Sequence, residues 1–210
     1  MTYNPDIHHR RSIRLRGYDY SQAGAYFVTI CTRNQECLFG KIADGKMRLN
    51  GAGEIVVEEW TRTGTIRDEI ELDEWVVMPN HFHGILVITG TGALRGTGDL
   101  RGTGDRPVAP TGPKPRSIGA VMAGFKSAAT KRINESRNTP GVKLWQRNYW
   151  EHIVRDEREL HHIREYIEYN PIRWEMDKLY SPSGSYGRAT DHPHKMRELN
   201  VEYVTEAWMV

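Results

Sequence analysis

Two short segments carry side chains whose types and spacing could do chemistry. The first is Met78-Pro-Asn-His-Phe-His-Gly84. If the run after Asn80 is a strand, His81 and His83 face one side and Phe82 the other, so two imidazoles converge. Converging imidazoles can grip a metal ion once a third ligand joins them; histidines of a turn or of the surface are the plainer account of the same pair. A dinuclear zinc site of the His-x-His-x-Asp-His kind needs an acid at position 85, where the chain has Ile85 and then Leu86. The His-Glu-x-x-His pattern of zinc proteases is also absent.

The second segment is His161-His-Ile-Arg-Glu-Tyr-Ile-Glu-Tyr-Asn-Pro171. Tyr166 and Asn170 are four apart, so on a helix a hydroxyl and an amide share one face. The plain alternative for Tyr166 is an amphipathic core tyrosine. Tyr169 offers a competing hydroxyl, but it lies on another face and is not one turn from Asn170.

The elements that must position these groups follow from pattern. Ala25 to Thr32 is β-branched and aromatic, which favours a strand. Asn50 reads as the N-cap of a helix through Ile55, Val56 and Trp60 that ends around Gly64 to Arg67. Ile70 to Met78 and Phe82 to Ile88 are strand-like runs separated by Pro79-Asn80, the pattern of a hairpin. Ser117 caps a helix through Asn134, with Ile118, Val121, Met122, Phe125, Ala129 and Ile133 as its apolar stripe and Lys126, Lys131 and Arg132 outside it. Val142 to Val154 holds the last strand or strands, and a final helix runs from near Asp156 to Asn170-Pro171, where proline stops it. The order strand, helix, hairpin, helix, strand, helix predicts an α+β fold built on an antiparallel sheet.

Between the hairpin and the Ser117 helix the chain repeats Gly-Thr-Gly with a period of six from Gly90 to Arg106, then runs into prolines. Such a segment buries too little apolar surface to offset its ordering entropy, so residues 90–115 read as a flexible Gly/Pro-rich insertion. Beyond about Lys178 the tail, 179–210, carries no chemical signal.

Composition narrows the class. With 38% hydrophobic and 27% charged residues the chain suits a globular domain. It contains no apolar run of the roughly 20 residues that span a bilayer and no signal-like start, so a cytoplasmic protein without membrane contact is expected. Cys31 and Cys37 are too few for a disulfide scaffold and read as structural thiols. Basic and acidic residues number 29 and 27, for a net charge of +2, but they are unevenly spread. Arg10, Arg11, Arg14 and Arg16 open the chain, and eight basic residues against two acidic ones lie between Arg95 and Arg132. Such clusters suit a phosphate backbone, with a solvated face as the bland alternative.

Three blocks together resemble the REP-associated tyrosine transposases, a branch of the single-tyrosine HUH transposases. They are Arg11-Ser-Ile-Arg-Leu-Arg-Gly-Tyr-Asp-Tyr20 through Tyr26-Phe-Val-Thr-Ile30, Trp75-Val-Val-Met-Pro-Asn-His-Phe-His-Gly84, and Trp145-Gln-Arg-Asn-Tyr-Trp-Glu-His152 leading into Tyr166-Ile-Glu-Tyr-Asn-Pro171. The resemblance implies that residues 1–178 form one such domain, with a ferredoxin-like, RRM-related sheet and helices packed on one face. It implies that His81 and His83 are metal ligands, that Tyr166 is the nucleophile and that Asn170 helps to hold the metal. It also implies single-stranded DNA with a hairpin as substrate. Relatives include both dimers and monomers, and the branch resembled favours a monomer. Arg11, Arg14, Arg16, Lys126, Lys131 and Arg132 are the expected DNA contacts.

The implied chemistry is metal-dependent nicking and joining. A phenol with an ordinary pKa of about 10 is a weak nucleophile at neutral pH, and a phosphodiester repels attack. Two imidazoles and an amide oxygen make a mixed site, open to water and phosphate, that suits Mg or Mn better than closed structural zinc. The proton acceptor for Tyr166 is left open between a metal-bound water, His152 and His162. Two rival readings remain at this stage: an RRM-like module that binds single strands on Tyr26, Trp75, Trp145 and Trp150 without cutting, and a phosphodiesterase in which water attacks.

Overall fold

The computed structural model of the chain describes residues 17–90 and 113–180. Arg11, Arg14 and Arg16, nearly all of the 90–115 insertion and residues 181–210 of the tail lie outside the described residues.

The first apolar run forms β1 (Gly24–Cys31). A small ribbon follows, β2 (Gly40–Ala43) paired with β3 (Lys46–Leu49). The sequence does not predict it, because strands of four residues hold too few alternations to stand out from a loop. Asn50 caps α1 (Gly51–Thr65), its side chain accepting from the backbone N–H of Ala52 at 3.0 Å and of Gly53 at 3.1 Å. Then β4 (Ile70–Val77) and β5 (His81–Ile88) form the expected hairpin, whose turn is closed by Met78 N–H donating to the His81 carbonyl at 2.8 Å. Ser117 caps α2 (Ile118–Arg137), and Asp156 caps α3 (Glu157–Tyr169) by accepting from Glu159 N–H at 2.8 Å. Between these helices only Trp150–Ile153 is a strand, β6, while the earlier part of 142–154 touches the sheet through an isolated bridge from Trp145 to Thr32.

The four long-range strands make one antiparallel sheet in the order β4-β5-β1-β6. That is the order of a ferredoxin-like β-α-β-β-α-β unit, so the α+β class is as expected. Among the described residues no helix is long and apolar enough to cross a membrane.

Both faces of the central strands are apolar, which decides where the helices go. Tyr26, Val28 and Ile30 of β1, with Phe82, Leu86 and Ile88 of β5, pack against Val56 and Trp60 of α1 and against Met122 and Phe125 of α2. Phe27 and Ile85 point the other way and pack against Trp150, Ile163 and Ile167. The helices are therefore not all on one face, as the resemblance implies: α1 and α2 cover one side and α3 the other. The near-continuous burial of β5 requires it, since an apolar face left open would cost the stabilisation that burial provides.

Gly84 is the close-contact point of this arrangement. A Cβ there would lie 2.9 Å from the Trp60 ring and 2.9 Å from the Phe82 ring, so glycine lets α1 settle onto β5. Gly84→Ala is expected to destabilise the fold by about 1–3 kcal/mol through overpacking. Gly51→Ala, where an added Cβ meets nothing within 4 Å at the exposed start of α1, should be neutral or stabilising by up to about 1 kcal/mol. Urea unfolding of both variants checks the contrast; equal midpoints would refute the packing account.

Candidate active site

The site begins with the alternation of β5. Phe82 enters the α1/α2 core, which turns His81 and His83 to the opposite side, where both are fully buried. Their ring centroids are 4.5 Å apart. Each imidazole is held from behind: His81 Nδ1 lies 2.8 Å from Asn80 Oδ1, and His83 Nδ1 lies 2.8 Å from Thr29 Oγ1 on the paired strand. Phe27 stacks on His83 at 5.4 Å. The two Nε2 atoms are thus the ones that face the site.

Helix α3 brings the hydroxyl. Ile163 and Ile167 fix its apolar stripe against Phe27 and Ile85. Arg164 grips Asp73 of β4 through two bonds, of 2.9 and 2.5 Å, at the point where the β4–β5 register shifts. The guanidinium holds the Asp73 carboxyl below its usual range. At the start of the helix, Glu159 accepts from His152 at 2.7 Å and from Arg155 N–H at 2.6 Å. So clamped, α3 places the Tyr166 hydroxyl 3.3 Å from His83 Nε2, with the phenol edge-on to His83 and Phe27. Tyr169 is 46% exposed with Arg173 over its ring, away from the histidines, as its helical position requires.

Asn170 ends α3, and its buried Oδ1 has no hydrogen-bond partner among the described residues. Beyond Pro171 a 3-10 turn at Trp174–Met176 brings the chain back, with Trp174 packed 5.8 Å from His81. The next residue is Asp177, whose buried carboxylate lies 3.7 Å from His81 Nε2. His81, His83 and Asp177 offer ligand atoms that all lie within 4.8 Å of one another, a group that could hold a metal ion. Sequence reasoning misses Asp177, because nothing periodic marks it and only the turn after Pro171 aims it inward.

The donor set fits a divalent ion. Burial pushes the His81 pKa down to about 4, against smaller opposing effects of Asp177 and Asn170. Burial, and then the neighbouring His81, hold His83 well below its ordinary value. Both imidazoles are therefore neutral at pH 7, with lone pairs available for coordination. Among the described residues, His81 Nε2 and Asn170 Oδ1 are buried polar atoms without a hydrogen-bond partner, which an ion would supply.

The other expected residues are placed differently. Lys126 Nζ donates to the Gln146 carbonyl at 2.6 Å and the Asn148 carbonyl at 3.1 Å, and burial lowers its pKa to about 8. Arg132 is engaged by Glu58 at 2.5 Å and Glu59 at 2.8 Å on α1. Lys131 is open to solvent, with Glu135 3.9 Å away. A helical pattern shows which side chains leave the apolar stripe but not which partners await them. His152, bound to Glu159 seven residues before Tyr166, braces α3 about 10 Å along the axis from the phenol. The aromatic platform of a single-strand binder is not open: Tyr26, Trp145 and Trp150 are buried and Trp75 packs on the core.

Comparison with known proteins bears on the fold. No family model matches the chain. An uncharacterized protein of Haemophilus influenzae is 42% identical over 178 residues, covering 85% of this chain and 97% of that protein. A second Haemophilus influenzae protein, described provisionally as a REP-associated tyrosine transposase, is 47% identical over 30 residues, 14% of this chain and 17% of that protein. A solved REP-associated tyrosine transposase bound to a REP hairpin superposes with a TM-score of 0.50 at 20% identity, covering 78% of this chain and 74% of that one. The chain belongs to one family with the uncharacterized Haemophilus protein, and its fold is that of the REP-associated tyrosine transposases.

Proposed function

We propose that this protein is a metal-dependent single-stranded DNA endonuclease and strand transferase whose nucleophile is Tyr166. The observation that carries the reading is the Tyr166 hydroxyl, 3.3 Å from His83 Nε2, beside the His81, His83 and Asp177 group. A nucleophile and a metal-holding cluster in one small volume suit phosphoryl transfer. When bound, Mg or Mn supplies positive charge to a phosphate under attack. His81, His83 and Asp177 hold that ion, with Asn170 Oδ1 as a further oxygen donor.

In the reaction the Tyr166 oxygen bonds to phosphorus and the bond from phosphorus to the 3′ oxygen breaks. The phenol proton passes to solvent, and the leaving oxygen takes one up from solvent. The products are a 5′-phosphotyrosine and a free 3′ hydroxyl, which can attack in turn and rejoin the strand. The fold held in place by Asp73–Arg164 and Glu159 orients the phenol for this step.

The solved transposase of this fold carries a REP hairpin, and hairpin-containing single-stranded DNA is the substrate class proposed here. Arg11, Arg14, Arg16 and Lys131 are proposed as phosphate contacts, and the exposed Lys41, Lys46 and Arg48 of the β2–β3 ribbon add to them. Residues 1–178 are proposed as the working unit, joined by Leu179, whose backbone ties down Asn80 and Asp177, with 90–115 and 180–210 outside the chemistry. A monomer is the state proposed.

Tyr166→Phe removes one oxygen and little packing. It should fold and bind a hairpin oligonucleotide with flanking single strands, yet form no protein–DNA adduct that survives denaturation in Mn. Tyr169→Phe should keep the adduct. An adduct mapped to Tyr169, or cleavage by the parent without any adduct, would overturn the assignment, the second outcome in favour of attack by water.

His81→Ala and Asp177→Ala should each weaken Mn binding more than about tenfold by titration calorimetry. Parent-like affinity in both would exclude them as ligands.

A further inference from the structure

Asn80 sits in the turn before β5, where its residue type is accounted for by chain reversal alone. Its surroundings do not fit a simple turn residue. The side chain is 1% exposed and makes three hydrogen bonds. Nδ2 donates to the Gln35 carbonyl at 3.2 Å and to the Leu179 carbonyl at 2.8 Å. Both partners are backbone oxygens, which only accept, so the amide cannot be turned round without setting its own oxygen against two others. Oδ1 is therefore the atom that meets His81 Nδ1 at 2.8 Å, and it accepts the ring proton.

Two consequences follow for the neighbouring groups. A neutral imidazole that donates through Nδ1 has a bare lone pair on Nε2, the nitrogen that faces Asp177. Without an acceptor at Nδ1, the Asp177 carboxylate 3.7 Å from Nε2 would draw the proton to that nitrogen and mask the lone pair. The bond to the Leu179 carbonyl also pins the segment that carries Asp177, which is tied to Leu179 N–H through its own Oδ1 at 2.6 Å.

We infer that Asn80 is a positioning residue that fixes His81 in its Nδ1–H tautomer and anchors the Asp177 segment, so that nitrogen and carboxylate converge ready to take a metal ion. This deepens the metal-site reading proposed above and rests on it for the role of the ion. The backbone frame reinforces the arrangement, since the Asn80 carbonyl accepts from Thr32 N–H at 2.8 Å and holds the turn to the end of β1. Partners of this kind behind a ligating histidine set its tautomer, and their loss typically lowers metal affinity by about 10–100-fold.

The test reads the tautomer directly. Long-range nitrogen–proton correlation spectra of the metal-free full-length protein with ¹⁵N-labelled histidine should show His81 protonated at Nδ1. Asn80→Ala should populate the Nε2–H form and lower Mn affinity by about 10–100-fold in calorimetry, with cooperative thermal unfolding retained. A parent His81 protonated at Nε2 overturns the inference whether or not the variant folds. So does an Asn80→Ala protein with an unchanged tautomer and unchanged Mn affinity. If the parent shows the Nδ1–H form and the variant loses it while neither binds Mn, the assignment of Asn80 stands and the metal reading falls.

Discussion

The pairing of β1 with β5 is the constraint on which the rest depends. It runs in unbroken register from Gly24 opposite Ile88 to Cys31 opposite His81, and both strands are buried on both sides. A slip of one residue would send His81 and His83 into the aromatic layer around Trp60 and bring Phe82 out among polar groups. The same register puts Thr29 opposite His83, so one strand supplies the imidazole and its neighbour supplies the group that holds it. Burial of apolar side chains, a force without direction, thereby fixes the direction in which two nitrogens point.

Helix α3 then has to reach the side of the sheet that α1 and α2 leave uncovered. Its apolar stripe sets the rotation that turns Tyr166 inward and Tyr169 outward. The Asp73–Arg164 pair acts within the same turn as Tyr166 and the His152–Glu159 contact about two turns before it, so the phenol is placed by packing and by polar contacts together. Among the described residues, His81 Nε2 and Asn170 Oδ1 of this site are two of the buried polar atoms that find no hydrogen-bond partner within the protein. A buried group of this kind costs about 1–3 kcal/mol, and these two lie beside a carboxylate and a second imidazole that could share an ion with them.

Much of this was legible in the sequence, for reasons that can be named. Asn50, Ser117 and Asp156 each precede an amphipathic stretch, and each caps a helix, because caps and stripes are local properties. Alternation across His81-Phe-His83 is local too, as is the four-residue spacing of Tyr166 and Asn170. What could not be read depends on contacts between distant segments. Asp177 enters the site only through the turn beyond Pro171. Lys126 and Arg132 find partners in the 146–148 loop and in α1. The second-face position of α3 follows from the apolar character of Phe27 and Ile85, which sequence alone does not assign to one side or the other. Asn80 looks like a turn former because it is one, and its second duty shows only when Gln35 and Leu179 are seen beside it.

The ends of β5 have different histories open to them. His81 begins the strand, Ile88 closes it about 23 Å away, and the hexapeptide repeats start two residues later. Tandem repeats in a gene gain and lose copies by slippage during replication, and in most places within a domain such a change would be lethal to function. In this chain the repeats begin at Gly90, just past the end of β5 that is opposite His81. A change in repeat number falls outside the residues whose pairing sets the β1–β5 register.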